Sequence, residues 1–124
     1  MSEITNTEFE VLEALWAQHP ATANSIIEQL NKHKPWHDKT VKTLINRLVK
    51  KEAIGFEKQE RHYLYFPLLE RDAYTEVQSQ SFIERLFRGR VSPLVAGFAK
   101  KNNLKKEDID ELKLLITKWE QDND

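Results

Sequence analysis

Hydrophobic and polar residues recur with a helical period through residues 38–51. When the stretch is drawn at about 100° per residue, Val41, Leu44, Ile45 and Leu48 fall on one side. The opposite side is polar, and after Asp38 it contains no carboxylate. Its members, including those at the edge, are Lys39, Thr40, Lys42, Thr43, Asn46, Arg47 and Lys50. The pattern predicts an amphipathic helix with a cationic outer face.

Two shorter helices are predicted before this stretch. Thr5 and Glu8 have the spacing of a capping box at the start of the first, which should end just before Pro20. Thr22 is the expected cap of the second, which ends before Pro35. Three short helices, of which the third is cationic, have the order of a helix-turn-helix.

The period changes to two after the third helix. Phe56 belongs to one predicted strand, and Tyr63 and Tyr65 share one face of the next. A β-hairpin that directly follows a recognition helix is a wing. Arg61 and His62 lie near its tip, where they are candidates to contact phosphate or a minor groove. The turn contains neither Gly nor Asn, so its type stays open.

Further helices are predicted between residues 70 and 124. Gly89 should close the first of them, and Ser92 should cap the next, with Pro93 in its first turn. Their apolar residues exceed what one chain can cover, so a homodimer is the economical solution. The alternative is a single six-helix core. The residues expected at the dimer surface are Tyr74, Val77, Leu86, Phe87, Leu94, Val95, Phe98, Ile109, Leu112, Leu115, Ile116 and Trp119.

The predicted fold class is therefore mainly α with a small β-hairpin wing. A winged helix-turn-helix DNA-binding domain would occupy residues 1–69, and a helical dimerisation domain residues 70–124. The composition agrees, because 124 residues contain only 3 Gly and 4 Pro. The net charge of −1 conceals a cluster of positive charge, since residues 32–51 contain seven Lys or Arg against one acidic residue. Such a cluster can steer a polyanion despite an acidic total.

Several other function classes are disfavoured. Cysteine is absent, which removes disulfides and cysteine metal sites. His33 and His37 flank Pro35 and cannot share a regular helix face as zinc ligands. No metal, cofactor or catalytic motif is predicted, so the chain is not expected to be an enzyme. Without a membrane span or secretory signal in the sequence, a cytoplasmic location is expected.

The chain resembles the BlaI/MecI/CopY family of bacterial repressors over nearly its full length. The segments that carry the resemblance are TANSII at 22–27, KTVKTLINRLVKK at 39–51, YLYFPL at 63–68, SFIERLF at 81–87 and SPLV at 92–95. The resemblance implies a homodimer that binds an inverted-repeat operator in double-stranded DNA. It also implies repression of β-lactamase, penicillin-binding-protein or copper-export genes, with DNA contacts at the polar residues of 39–47.

Three departures from the family pattern matter. Copper-responsive members carry a cysteine cluster that this chain lacks, which excludes a copper or zinc site of that kind. β-Lactam-responsive members are cleaved by a membrane-bound sensor protease at an Asn-Phe bond. The matching bond here, and hence the candidate cleavage bond, is Gly97–Phe98. The wing position that is usually Gly is Glu60.

The predicted mechanism is occlusion of a promoter. Two copies of helix 38–51 would enter successive major grooves, about 34 Å apart. Lys39, Lys42 and Lys50 would bind phosphates, Asn46 could pair with adenine, and Arg47 with guanine or phosphate. Lys51 is expected along the phosphate backbone or in solvent. A solvated helix face remains the alternative for each residue. The alternative for the whole chain is a winged-helix protein-interaction module without operator binding.

Overall fold

The computed structural model describes residues 3–123, which form six helices and one hairpin. In chain order they are α1 (Asn6–Ala17), α2 (Ala23–Leu30), α3 (Asp38–Lys50), β1 (Ile54–Gln59), β2 (His62–Pro67), α4 (Arg71–Phe87), α5 (Ser92–Lys100) and α6 (Lys106–Asp122). The predicted fold class is confirmed. The chain divides into two compact units, Met1–Thr75 and Glu76–Asp124, and the division lies inside α4.

Each of the first three helices begins at a side-chain cap, and the caps of the first two are the predicted ones. At α1 the Thr5 hydroxyl accepts from the Glu8 amide at 3.2 Å, and Glu8 Oε1 accepts from the Thr5 amide at 2.8 Å, which completes the capping box. The Thr22 hydroxyl caps α2. His37 caps α3, where its Nδ1 accepts a backbone N–H at 3.3 Å. These caps fix the first residue of each helix.

The core of the first unit lies between α1, α2, α3 and the start of β1. The apolar side of α3 is completely enclosed there, which leaves the polar side facing outward. The buried apolar residues are Val11, Leu12, Ala14, Leu15, Ala21, Ile26, Ile27, Leu30, Val41, Leu44, Ile45, Leu48, Ala53 and Ile54. The orientation of the cationic face is thus a consequence of core burial.

The wing is an antiparallel hairpin in which Phe56 lies opposite Tyr65, and Lys58 opposite Tyr63. Tyr65 also exchanges two backbone hydrogen bonds with Ala21, at 2.8 and 3.0 Å. This bridge joins the wing to the connection between α1 and α2, an association that sequence periodicity does not predict. The wing is therefore attached to the helix-turn-helix by backbone pairing.

Two glutamates adopt the left-handed backbone region that favours glycine. Glu60, at the tip of the wing, has a φ of 55°. Glu52, with a φ of 62°, follows α3. There the Ala53 amide donates to the Leu48 carbonyl and the Glu52 amide to the Val49 carbonyl, which is a Schellman motif. The chain thus ends α3 and turns into β1 without a glycine.

The second unit contains the rest of α4, then α5 and α6. Gly89, with a φ of 81°, lies at the end of α4 as predicted, and its amide donates to the Ile83 carbonyl at 3.1 Å. Arg88, the first residue after the helix, is also left-handed, with a φ of 54°. The prediction that Ser92 caps α5 is wrong, because Ser92 is already helical and Val91 occupies the cap without a side-chain bond. Among the described residues from 76 to 123, no side chain is buried.

Candidate nucleic-acid interface

The outward face of α3 is cationic and free of internal salt bridges. Lys39, Lys42, Arg47 and Lys50 are all exposed, and none pairs with a carboxylate within residues 3–123. Thr40 and Asn46 are exposed beside them. Four uncompensated cations on one helix face, interleaved with amide and hydroxyl groups, can bind phosphates and hydrogen-bond base edges.

Two other cations of the segment 32–51 pair with carboxylates of α1. Lys34 forms a surface salt bridge with Glu10 at 3.2 Å. Lys51 was expected along the phosphate backbone or in solvent, and this is wrong. Its ammonium group lies 2.6 Å from Glu8 Oε1 and also donates to the Glu3 carbonyl at 2.7 Å. The positively charged surface that is free to bind a ligand is therefore smaller than the number of Lys and Arg residues in 32–51 implies.

Glu8 is a fully buried carboxylate. Burial alone would raise the pKa of Glu8, but hydrogen bonds from Lys51 and Thr5 outweigh it and hold the pKa below its ordinary value of 4.5. The charged pair joins the end of α3 to the start of α1 across 43 residues of sequence. It therefore helps to position α3 against α1.

Three depressions surround the outward face of α3. The first, about 320 Å³ in volume, lies beside the first half of the helix and is lined by His37, Lys39, Thr40, Thr43, Leu44 and Arg47. The Thr43 hydroxyl donates to the Lys39 carbonyl at 2.9 Å, so its oxygen remains available as an acceptor. Four of the predicted DNA-binding residues thus share one surface.

The second depression, about 150 Å³, lies between α3, the wing and the start of α2. It brings Lys42 together with Arg61 and His62, three cationic or titratable residues that the sequence places in two separate elements. Its remaining lining residues are Thr22, Ala23, Asn24, Tyr63 and Tyr65. This is the position at which the wing and α3 could bind the same anionic strand.

The third depression, about 360 Å³, lies between the second half of α3 and one face of the wing. Asn46, Val49 and Lys50 form one wall, and the aromatic rings of Phe56, Tyr63 and Tyr65 form the other. Burial, and then the neighbouring Tyr63, raise the pKa of Tyr65, so its hydroxyl stays protonated near neutral pH. The period-two pattern predicts that Tyr63 and Tyr65 share a face, but not that this face adjoins α3.

The residues expected at a dimer surface are distributed over α4, α5 and α6. All twelve are exposed or half-buried. Tyr74 differs in its contacts, because its ring stacks on Phe9 at 6.0 Å and also contacts Trp16 within the first unit. Burial, followed by the nearby Glu3 and Glu8, raises the pKa of Tyr74. Tyr74 is therefore better explained as an anchor for the first turn of α4.

Among residues 3–123, no group of three or more His, Cys, Asp or Glu residues is placed to hold a metal ion. In the same part of the chain, every helix is too short or too polar to span a bilayer.

The fold is that of a winged helix-turn-helix protein. Three helices are followed by a hairpin that is bridged to the α1–α2 connection, and the polar face of the third helix is exposed. The chain belongs to the penicillinase repressor family, a family of transcriptional repressors, which it matches over residues 4–118. It is 35% identical to the methicillin resistance regulatory protein MecI of Staphylococcus aureus over 116 residues, 94% of each chain. It is 34% identical to the penicillinase repressor of Bacillus licheniformis over 110 residues, 89% of this chain and 86% of that protein.

A solved structure agrees with the fold of the first unit. It is the solution structure of Bacillus licheniformis BlaI in its monomeric form, in complex with the blaP half-operator. The TM-score is 0.51 at 32% identity, and the match covers 59% of this chain and 89% of that one.

Proposed function

We propose that this protein is a homodimeric transcriptional repressor that occludes a promoter by binding an inverted-repeat operator. The observation that carries the proposal is the exposed face of α3, on which four cations have no internal carboxylate partner within residues 3–123. Membership of a repressor family and the likeness to a protein solved with a half-operator support it. No catalytic role is proposed.

In this mechanism α3 lies in the major groove. Lys39, Lys42 and Lys50 bind backbone phosphates and displace condensed counterions. Asn46 pairs with adenine and Arg47 with guanine or phosphate. Thr40 and Thr43 offer hydroxyl groups beside them, and Arg61 and His62 extend the phosphate contacts onto the wing. The first unit would act as the DNA-binding domain.

The direct test is a fluorescence-anisotropy titration with a duplex selected from a random library by the full-length protein. Arg47→Ala should weaken binding by on the order of 1–3 kcal/mol. Lys34→Ala removes the same charge but from a residue paired with Glu10, so it should change affinity little. Binding should also weaken steeply with salt. Equal effects of both substitutions would contradict the assignment of Arg47, and absence of salt-dependent duplex binding would favour the protein-interaction module instead.

Dimerisation through α4–α6 is the second part of the proposal. The most exposed large apolar side chains of the described chain lie in these helices, with Leu114 at 70%, Trp119 at 65% and Leu115 at 63% exposure. Helices without a buried side chain need a partner surface, because clustered exposed apolar area marks an interface. A second copy provides that surface with two-fold symmetry, which matches an inverted repeat.

Sedimentation equilibrium tests this part. Leu115→Asp should convert a dimer into a monomer, whereas Leu68→Asp, which alters a 55%-exposed leucine in the first unit, should not. A monomeric wild-type protein at micromolar concentration would refute the dimer.

Regulation in response to β-lactams is proposed from the relatives, which are a methicillin resistance regulator and penicillinase repressors. The inducer would act through a membrane-bound sensor protease that cleaves Gly97–Phe98. Both residues are exposed in α5, and a Cβ added at Gly97 would meet nothing within 4 Å. Gly97→Asn should therefore be tolerated and restore the family's cleavage bond. Mass spectrometry after co-expression with such a protease would show whether either protein is cut there.

A further inference from the structure

The second and third depressions share one wall, because Tyr63 and Tyr65 line both of them. Lys42 and Arg61 line the second depression, and Lys50 lines the third. No lining residue of either depression is acidic. The two depressions therefore combine cations with the aromatic wing face, which is formed by the rings of Phe56, Tyr63 and Tyr65.

The rings of the aromatic wing face contact one another. The Phe56 and Tyr63 rings meet edge to face with centroids 5.1 Å apart, and Phe56 lies 6.1 Å from Tyr65. Despite these contacts, Phe56 remains 48% exposed and Tyr63 45% exposed. Lys58 lies opposite Tyr63 on the hairpin and adds a further cation toward the tip. Half-exposed rings among cations suit a ligand that is anionic along its edge and apolar between its charges.

We propose that the aromatic wing face, formed by Phe56, Tyr63 and Tyr65, packs against the deoxyribose rings of one DNA strand. The flanking cations bind the phosphates on either side of those sugars, and the tyrosine hydroxyls donate hydrogen bonds to phosphate oxygens. The inference rests on the proposed DNA-binding function and adds to it a contact that does not depend on charge neutralisation.

Continuity with the proposed interface favours DNA as the occupant. Asn46 and Lys50 belong both to the outward face of α3 and to the wall of the third depression. A duplex that engages these two residues brings a sugar–phosphate strand to the adjoining rings. An acidic peptide or an aromatic acid would fit the same chemistry but would have to displace that strand.

Salt dependence separates the aromatic contact from the ionic ones. Affinity of the full-length protein for its selected duplex, and for a random-sequence duplex, is measured across a salt series. Tyr63→Ala and Phe56→Ala should each weaken both complexes about fivefold, with an unchanged slope of log affinity against log salt. Lys50→Ala should instead reduce the magnitude of that slope by about one. Leu68→Ala, which removes a comparably exposed apolar side chain outside both depressions, should have no effect.

The outcomes distinguish this inference from the function on which it rests. Unchanged affinity in folded Tyr63→Ala and Phe56→Ala, while Lys50→Ala still weakens binding, would overturn the aromatic contact and leave DNA binding intact. A change of salt slope in Tyr63→Ala would also overturn it, because the ring would then act through the neighbouring cations. Absence of duplex binding by the wild-type protein would refute the proposed function itself. Tyr63→Phe retains the ring and should lose only part of the effect.

Discussion

Removing the Glu8 side chain should destabilise the first unit by an amount that its contacts allow us to work out. Glu8→Ala deletes a charge-assisted hydrogen bond to Lys51 and the return bond of the capping box. Breaking one side of a buried pair costs about 3–5 kcal/mol. Lys51 is 21% exposed and keeps the Glu3 carbonyl, so the lower end of that range, about 3 kcal/mol, is expected.

Replacing Lys51, the partner of Glu8, should lower the free energy of unfolding by a larger amount. Lys51→Met leaves the Glu8 carboxylate with no exposure and only the Thr5 amide as a donor to Oε1, while Oε2 already lacks a partner among the described residues. A loss of about 4 kcal/mol is expected. The double variant Glu8→Ala, Lys51→Met should lose much less than the sum of the two single losses, because neither partner is then left as an unpaired buried charge.

Urea unfolding in a Trp119→Phe background provides the assay, since fluorescence then comes from the two tryptophans of the first unit, Trp16 and Trp36. Additive losses in the double variant would refute the coupling between Glu8 and Lys51.

The pair should also make the free energy of unfolding depend on pH. The folded-state pKa of Glu8 lies below 4.5, so its stabilisation is complete above pH 4.5 and is lost as the pH falls through the folded-state value. A stability difference between wild type and Glu8→Gln that stays constant into this acid range would contradict that assignment.

Three further substitutions test strained or buried contacts. Glu60→Gly should raise the free energy of unfolding by about 0.5 kcal/mol, since it relieves a left-handed φ; Gln59→Gly, in the regular strand, should lower it, and thermal unfolding distinguishes the two. Glu52→Gly should likewise raise the melting temperature, and an unchanged value would show that its left-handed backbone carries no penalty. Trp16→Phe should lower the free energy of unfolding by about 1 kcal/mol in urea, because it removes the 2.8 Å bond from Nε1 to the Leu69 carbonyl.

Features that depend on residues within one element could be predicted from the sequence. The apolar side of α3, the capping box of Thr5 and Glu8 and the Gly89 cap all follow from spacing within a turn or two of helix. Features that depend on where separate elements meet could not. The salt bridge from Lys51 to Glu8 joins residues in contact only after α1 packs on α3, and it removes one lysine from the basic footprint.

The candidate interface shows the same division. Periodicity selects the outward residues of α3, because burial of Val41, Leu44, Ile45 and Leu48 dictates which side remains exposed. Whether the aromatic wing face borders α3 depends instead on how the hairpin packs against the helices. The backbone bridge between Tyr65 and Ala21 contributes to that packing, and the residue type of Ala21 carries no signal for pairing. Local pattern therefore identifies which side of a helix is outside, but not which neighbour borders it.

The absence of a buried side chain among the described residues from 76 to 123 has a consequence for how much protein a cell must maintain. If these helices obtain their core only from a second copy, their folding and their assembly are one equilibrium. Stability then rises with total concentration, and diluted chains lose helical structure in this unit and become substrates for proteases. A modest fall in synthesis would thus be amplified into a larger fall in intact dimer, which sharpens the response of any gene under its control.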